Sequence, residues 1–199
     1  MIKTWLQNRY NELSPKSDKG IEHDYIAGYY DAEFSQYKYQ KINIMEIGVQ
    51  KGYSMNLWKS YFEIPGLIVG VDINITDEAK SLMDEYVFTN YKNSWGNIKL
   101  IETDAYSKEF ADEFFDGTFD YIIDDGPHTL ESQLKFIDLY YRKTKRFGGK
   151  LIIEDIQSKE DLEAIENKLK AEDKPYTVYD LTANKGRYDD ILIEIRRKP

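Results

Sequence analysis

Lys41 to Leu57 reads KINIMEIGVQKGYSMNL, and the reading of this stretch decides the fold. An apolar run with β-branched Ile42, Ile44 and Ile47 leads into Glu46-Ile47-Gly48-Val49-Gln50-Lys51-Gly52. Leu57, Trp58 and Tyr61 then recur on one helical face. The pattern is strand, glycine turn, helix. A buried strand that turns sharply into a helix, with a ligand pressed against the turn, needs residues without a Cβ, and Gly48 and Gly52 are placed for that. Their spacing is G-x-x-x-G, not the G-x-G-x-x-G of dinucleotide folds, and the missing middle glycine is the one that lets the backbone close on a pyrophosphate. The turn therefore points to a cofactor without phosphates, and an ordinary strand-to-helix turn is the plain alternative.

Working outward, Leu67-Ile68-Val69-Gly70-Val71-Asp72 is a second apolar run, closed by an acid about twenty residues beyond Gly52, where a parallel strand would present a carboxylate to a ribose. Asp77 to Tyr86 reads as a helix and Ile98 to Asp104 as a third strand, again ending in an acid. A polar helix near Ser107 to Phe115 precedes a strand from Phe119 to Asp125. The helix Thr129 to Arg146 carries the stripe Leu130, Leu134, Ile137 and Tyr141, and Gly148-Gly149 stops it. A strand from Lys150 to Asp155 comes next, then a helix from Ser158 to Lys170 opened by the capping pattern Ser158-x-x-Asp161. The last strands, Tyr176 to Asp180 and Asp190 to Arg196, flank Thr182 to Arg187, the one link short enough for a hairpin.

Upstream, Ile2, Trp5, Leu6 and Leu13 form one amphipathic pattern, and Ile26, Tyr29, Tyr30, Phe34 and Tyr37 a second. The turn-rich loop Ser14 to Gly20 joins them and ends near His23 and Tyr25. The expected architecture is α/β, a doubly wound seven-stranded sheet, mostly parallel with an antiparallel C-terminal strand. Residues 1–40 form an N-terminal helical segment and lid, and residues 41–199 the cofactor-binding domain.

With 199 residues, 41% of them hydrophobic and 15% aromatic, the chain suits one well-buried domain with some decoration. No apolar run approaches the roughly 18 residues of a membrane helix, and the first residues lack the apolar core of a signal peptide, so a cytoplasmic location and no membrane partner are expected. The absence of cysteine excludes a disulfide framework, a thiolate zinc site and a cysteine nucleophile. Any metal falls to oxygen ligands or to His23 and His128. A net charge of -9 argues against a nucleic-acid partner. Oligomeric state is left open, a homo-oligomer included.

In sheets of this kind ligands bind outside the carboxyl ends of the strands. Glu46, Asp72, Asp104, Asp124, Asp125, Glu154 and Asp155 all fall at that edge. Each alone reads equally as a cap or a solvated loop residue. Seven together repel one another unless something positive binds. Asp124-Asp125 and Glu154-Asp155 close two strands expected to be neighbours. Oxygen ligands from two loops suit a hard divalent ion such as Mg²⁺, with a pair of caps and charged turns as the alternative. His128, three residues beyond Asp125, can accept a proton near neutral pH or simply open a helix.

Glu46-x-Gly48-x-x-x-Gly52 with Asp72, Asp104 and Asp124 resembles the class I S-adenosylmethionine-dependent methyltransferases, which have a Rossmann-like fold. Ser17-Asp18-Lys19-Gly20 with His23 and Tyr25, then Asp125-Gly126-Pro127-His128, then Glu154-Asp155, resemble the metal-dependent macrocin and mycinamicin type of sugar O-methyltransferase and the related cephalosporin hydroxylase group. The resemblance runs from about Ser17 to Ile156. It implies S-adenosylmethionine bound at Glu46, Gly48, Gly52, Ser54, Asp72, Asp104 and Asp124, with Ser17, Lys19 and Tyr25 closing over it. It also implies Mg²⁺ or Mn²⁺ on Asp125, Glu154 and Asp155, and catalysis by His128 as general base beside Asp125. The implied reaction is methyl transfer to a sugar hydroxyl of a glycan, nucleotide sugar or glycosylated small molecule. Pro127 departs from the pattern, where serine is usual, and the short chain argues against a macrolide acceptor. A catechol-type O-methyltransferase and a non-catalytic cofactor-binding module are the rival readings.

Overall fold

The computed structural model describes residues 5–13, 17–84 and 98–199. The chain begins with α1 (Trp5–Glu12) and α2 (Asp18–Ile21), then a π-helical turn (Ile26–Tyr30) that runs into α3 (Asp31–Phe34). Strand and helix alternate from there: β1 (Ile42–Ile47), α4 (Tyr53–Tyr61), β2 (Pro65–Asp72), α5 (Asp77–Asp84), β3 (Ile98–Glu102), α6 (Lys108–Ala111), β4 (Tyr121–Asp124), α7 (Leu130–Tyr140), β5 (Lys150–Ile153) and α8 (Lys159–Ala171). The closing elements are β6 (Tyr176–Asp180), α9 (Thr182–Lys185) and β7 (Ile191–Arg196).

Among the described residues, seven strands form one sheet in the order β3-β2-β1-β4-β5-β7-β6. All pairs are parallel except those of β7, which runs antiparallel to both β5 and β6. The strand order reverses between β1 and β4, which opens a crevice at their carboxyl ends. Backbone bonds carry the ladder just past the strand ends. Gly48 N–H donates to the Val71 carbonyl at 2.9 Å, Asp125 N–H to Ile47 at 2.8 Å, and Glu154 N–H to Asp124 at 3.1 Å. The glycine turn and both acid loops are thereby fixed at one edge.

Side chains alternate across each strand, so the near-continuous apolar runs feed two cores. Ile42 and Ile44 of β1, Ile123 of β4 and Ile152 of β5 pack with α1, α3 and α4. Met45, Ile47, Ile122, Leu151 and Ile153 pack with α6, α7 and α8. The N-terminal segment is built into the first of these. Phe34 lies edge-on to Tyr121 at 4.9 Å and to Trp58 at 5.3 Å. Lys150 Nζ reaches Glu33 Oε1 at 2.7 Å and Glu194 Oε2 at 2.9 Å.

The sequence expectations meet this architecture element by element. The fold class holds, and Ser158 caps α8 by accepting from Asp161 N–H at 3.0 Å. The expected polar helix near Ser107 to Phe115 contracts to α6, because Gly117 and Thr118 begin the return to β4. Residues 26–37 form no single helix but a π turn, an α turn and a 3-10 turn in succession. The last link, read as a hairpin connection, carries the short helix α9. Ile2, the residues Ser14 to Lys16, and the Glu85-Tyr86 end of the expected second-strand helix lie outside the described residues.

Gly48 has φ of 91°, and a Cβ there would stand 1.8 Å from the Asp125 carbonyl oxygen. Gly52, at φ of 81°, would bring a Cβ only to 3.0 Å from Ala79. Gly48→Ala is therefore expected to cost more than about 3 kcal/mol, through the left-handed backbone and a backbone clash together. Gly52→Ala should cost nearer about 1 kcal/mol, from the backbone term. Chemical denaturation of the two variants beside the parent chain checks the order.

Candidate active site

Strand alternation divides the seven acids that the sequence places at one edge. Glu46, in β1, and Glu154, just past β5, turn into the core covered by the N-terminal helices, and neither is exposed to solvent. Between them lies Lys19, 1% exposed. Its Nζ sits 3.2 Å from Glu46 Oε1 and 2.7 Å from Asp125 Oδ2, and it also donates to Glu154 Oε2. Trp58 Nε1 donates to Glu46 Oε2 at 2.7 Å, and the Tyr30 hydroxyl donates to Glu154 Oε1. Burial alone would lower the Lys19 pKa, but Asp125, Glu154 and Glu46 outweigh it and hold the ammonium well above 10.5. Three carboxylates share one ammonium, however. Burial pushes the Glu154 carboxyl up to about 8 against the pull of Lys19, and raises Asp125 in the same way. Both carboxyls therefore hold their protons to higher pH than usual, and a cation could take the place of those protons.

Asp125, His128 and Asp155 form the second group. One ligand atom from each lies within 4.8 Å of the others, the one such convergence among the described residues. His128 Nε2 is 3.4 Å from Asp155 Oδ2 and 3.9 Å from Asp125 Oδ1. Both His128 and Asp155 have φ of 56°, the left-handed region that costs a non-glycine residue of the order of 1–3 kcal/mol. Burial lowers the His128 pKa below 6.5, with Asp155 opposing, so the imidazole is neutral at pH 7 and able to accept a proton. Tyr25 donates to Asp155 Oδ1 at 2.7 Å, and His23 Nδ1 stands 3.2 Å from the same oxygen. Glu154, which the resemblance makes a metal ligand, is not in this group, since its carboxylate is engaged with Lys19 and Tyr30. For a divalent ion the fit is good. Asp125 and Asp155 offer hard oxygens from two loops, and the protons held by Asp125 and Glu154 could give way to a cation.

On the far side of the turn, Asp72 Oδ2 accepts from Val49 N–H at 2.8 Å and from Gln50 N–H at 2.9 Å. Gly48, Gly52 and Asp72 are thus brought together, with Ser54 buried in the first turn of α4. Asp104 is exposed and accepts from Tyr106 N–H at 2.8 Å, while the Tyr106 hydroxyl donates to Asp124. Burial pushes the Asp124 carboxyl up to about 7, with the bonds from Tyr106 and Gly126 pulling it down. Ser17, Lys19 and Tyr25, expected to close over the cofactor, are all buried, Lys19 and Tyr25 against the acid loops, and Ser17 through its carbonyl, which accepts from the Tyr10 hydroxyl at 2.9 Å. Tyr106 and Asp190 carry no local motif. No sequence signal singles them out, because Asp124, which takes the Tyr106 hydroxyl, and His23, which faces Asp190, lie on other loops.

No protein-family model matches the chain. Among curated proteins it is 33% identical over 161 residues to the mycinamicin VI 2''-O-methyltransferase of Micromonospora griseorubida, a span of 76% of this chain and 35% of the relative. To the demethylmacrocin O-methyltransferase of Streptomyces fradiae it is 30% identical over 158 residues, again 76% and 35%. The chain therefore spans about a third of the length of the curated relatives it matches. Among solved structures, the MycE methyltransferase of the mycinamycin biosynthetic pathway in complex with Mg and SAH superposes with a TM-score of 0.68 at 20% identity, over 98% of this chain and 55% of that one. A further MycE complex, which also holds mycinamycin VI, gives a TM-score of 0.67 at 20% identity, over 99% and 55%. In sequence the chain is similar to the mycinamicin VI and demethylmacrocin O-methyltransferases, and it shares the fold of the MycE methyltransferase.

Proposed function

We propose that the chain is an S-adenosylmethionine-dependent and divalent-metal-dependent O-methyltransferase acting on a sugar hydroxyl of a glycan, nucleotide sugar or glycosylated small molecule. The observation that carries the reading is the convergence of Asp125, His128 and Asp155 beside the glycine turn, in a chain whose relatives methylate sugar hydroxyls. Residues 41–199 form the cofactor-binding domain, and residues 1–40 a helical segment closing the metal side.

When bound, the divalent ion would supply Lewis-acid polarisation of a sugar hydroxyl, and S-adenosylmethionine the methyl group on its sulfonium. Asp125 and Asp155 would hold the ion. Glu154 joins them only by leaving Lys19. His128, neutral at pH 7, takes the proton from the acceptor hydroxyl at Nε2, the nitrogen that faces both carboxylates. Gly48 and Gly52, without a Cβ, would leave room for the cofactor beside the turn, and Asp72, which orients the Val49 and Gln50 N–H groups, would be the residue to bind its ribose hydroxyls. Asp104 and Asp124, linked through Tyr106, would help frame the adenine and methionine ends of the cofactor. The buried Lys19 cluster closes the floor to water, which favours in-line attack over solvolysis.

Calorimetry of the purified chain is expected to show S-adenosylhomocysteine binding, and absence of any heat would overturn the cofactor assignment. In methyl-transfer assays with glycosylated acceptors and Mg²⁺, His128→Ala should lose about 10²- to 10⁴-fold in kcat while cofactor affinity is kept. Retention of full kcat would rule out His128 as the base. A catechol acceptor in a parallel assay separates the rival small-molecule reading. Because the base must be unprotonated and its pKa lies below 6.5, kcat/KM should be flat at pH 7 and fall only as the pH drops below that value.

A further inference from the structure

We propose that the stretch from Lys19 to Tyr25 is a fixed clamp that holds Asp125 and Asp155 by one oxygen each, leaving one oxygen of each carboxylate for a cation. The proposal rests on the cation reading above and assigns positioning roles to Lys19, His23 and Tyr25. Lys19 Nζ takes Asp125 Oδ2 at 2.7 Å, while Asp125 Oδ1 faces His128. Tyr25 donates to Asp155 Oδ1 at 2.7 Å, His23 Nδ1 approaches that oxygen to 3.2 Å, and Asp155 Oδ2 faces His128. The two carboxylates are therefore treated alike, from two different elements. One oxygen of each is occupied from behind, and the other points into the shared cleft.

The clamp is tied to its surroundings at several points, with His23 Nδ1 buried near two carboxylates but without a hydrogen bond among the described residues. Tyr25 accepts from Asp155 N–H at 3.1 Å with the same hydroxyl, which secures the left-handed backbone of Asp155. His23 stacks on the Tyr25 ring at 4.9 Å with 9° between planes and has Asp190 Oδ1 3.6 Å from its Nδ1. Behind the stretch, the β6–β7 link ties it down. Lys185 Nζ donates to the His23 carbonyl at 2.7 Å, Asn184 to Asp24 Oδ2 at 2.6 Å, and Arg187 to Glu22 Oε2 at 2.9 Å. A stretch bonded in this way does not swing as a lid. Its consequence is ion selection. Carboxylates restricted to one oxygen each suit a small octahedral ion that keeps positions for water or substrate hydroxyls, and disfavour Ca²⁺, which accepts bidentate carboxylates.

The test is a Mn²⁺ titration of the intact chain followed by electron paramagnetic resonance, without acceptor, with Ca²⁺ as competitor and thermal melting in parallel. Tyr25→Phe keeps the stacked ring and deletes the hydroxyl. It is expected to weaken Mn²⁺ by about 10- to 100-fold and to lower the preference for Mn²⁺ over Ca²⁺, with the protein still folded. His23→Leu reads the same Asp155 oxygen and should weaken Mn²⁺ in the same direction, which keeps the test decisive if one variant fails to fold. A folded Tyr25→Phe or His23→Leu chain with Mn²⁺ affinity and ion preference within twofold of the parent overturns the clamp alone. A parent chain that binds no Mn²⁺ overturns the cation reading and the clamp with it.

Discussion

The buried ammonium of Lys19 is the interaction on which the rest of the site depends. Taking one cation and three carboxylates out of water costs several kcal/mol per ion, and only close, multiple pairing offsets it. The three carboxylates come from β1, from the loop after β4 and from the loop after β5, while the ammonium comes from the short helix ahead of the sheet. One side chain thus draws the N-terminal stretch onto the carboxyl edge of three strands. Because one ammonium cannot neutralise three ionised acids, burial raises the Glu154 and Asp125 carboxyls, and a cation beside His128 could replace the protons they hold.

The parallel sheet supplies the geometry for such a site. Every strand from β1 to β5 ends at the same edge, and alternation sends Glu46 and Glu154 to one face and Asp124 to the other. Asp125 and Asp155, the first or second residues beyond their strands, escape both faces and meet over the crevice. Their separation from the buried acids is what distinguishes a structural ion cluster from an ion-binding cleft within a few residues of sequence. Left-handed backbone at His128 and Asp155 turns both side chains into that cleft, and the bond from Asp155 N–H to Tyr25 compensates part of the strain there.

Much of the fold was legible in local patterns. The glycine turn, the acid-tipped strands and the Ser158 cap each act within a few residues, so their physics is contained in short windows of sequence. The helix expected to run to Gly148-Gly149, by contrast, ends at Tyr140 and gives way to a 3-10 turn. Boundaries shifted where tertiary contacts override propensity, as in the aromatic segment Ile26 to Tyr37, which breaks into three kinds of turn to pack Phe34 against Tyr121 and Trp58. For the site, residue types were legible and partners were not. Glu154-Asp155 reads as a matched pair of acids, yet the two side chains serve different surroundings. Tyr106 and Asp190 carry no motif, and they enter only because other loops are folded against them.

The sequence by itself determined the alternation of strands and helices from β1 to α8, the glycine turn at Gly48 to Gly52 and the supply of oxygen ligands without cysteine sulfur, because these follow from periodicity, spacing and composition. Only the tertiary structure decided which acids face a cation, which are spent on Lys19, and that Lys19 to Tyr25 grips the acid loops. Those outcomes depend on contacts between residues more than a hundred positions apart, such as Lys19 with Asp125 and Tyr25 with Asp155. No local pattern encodes such pairs, since burial and direction are properties of the assembled sheet edge.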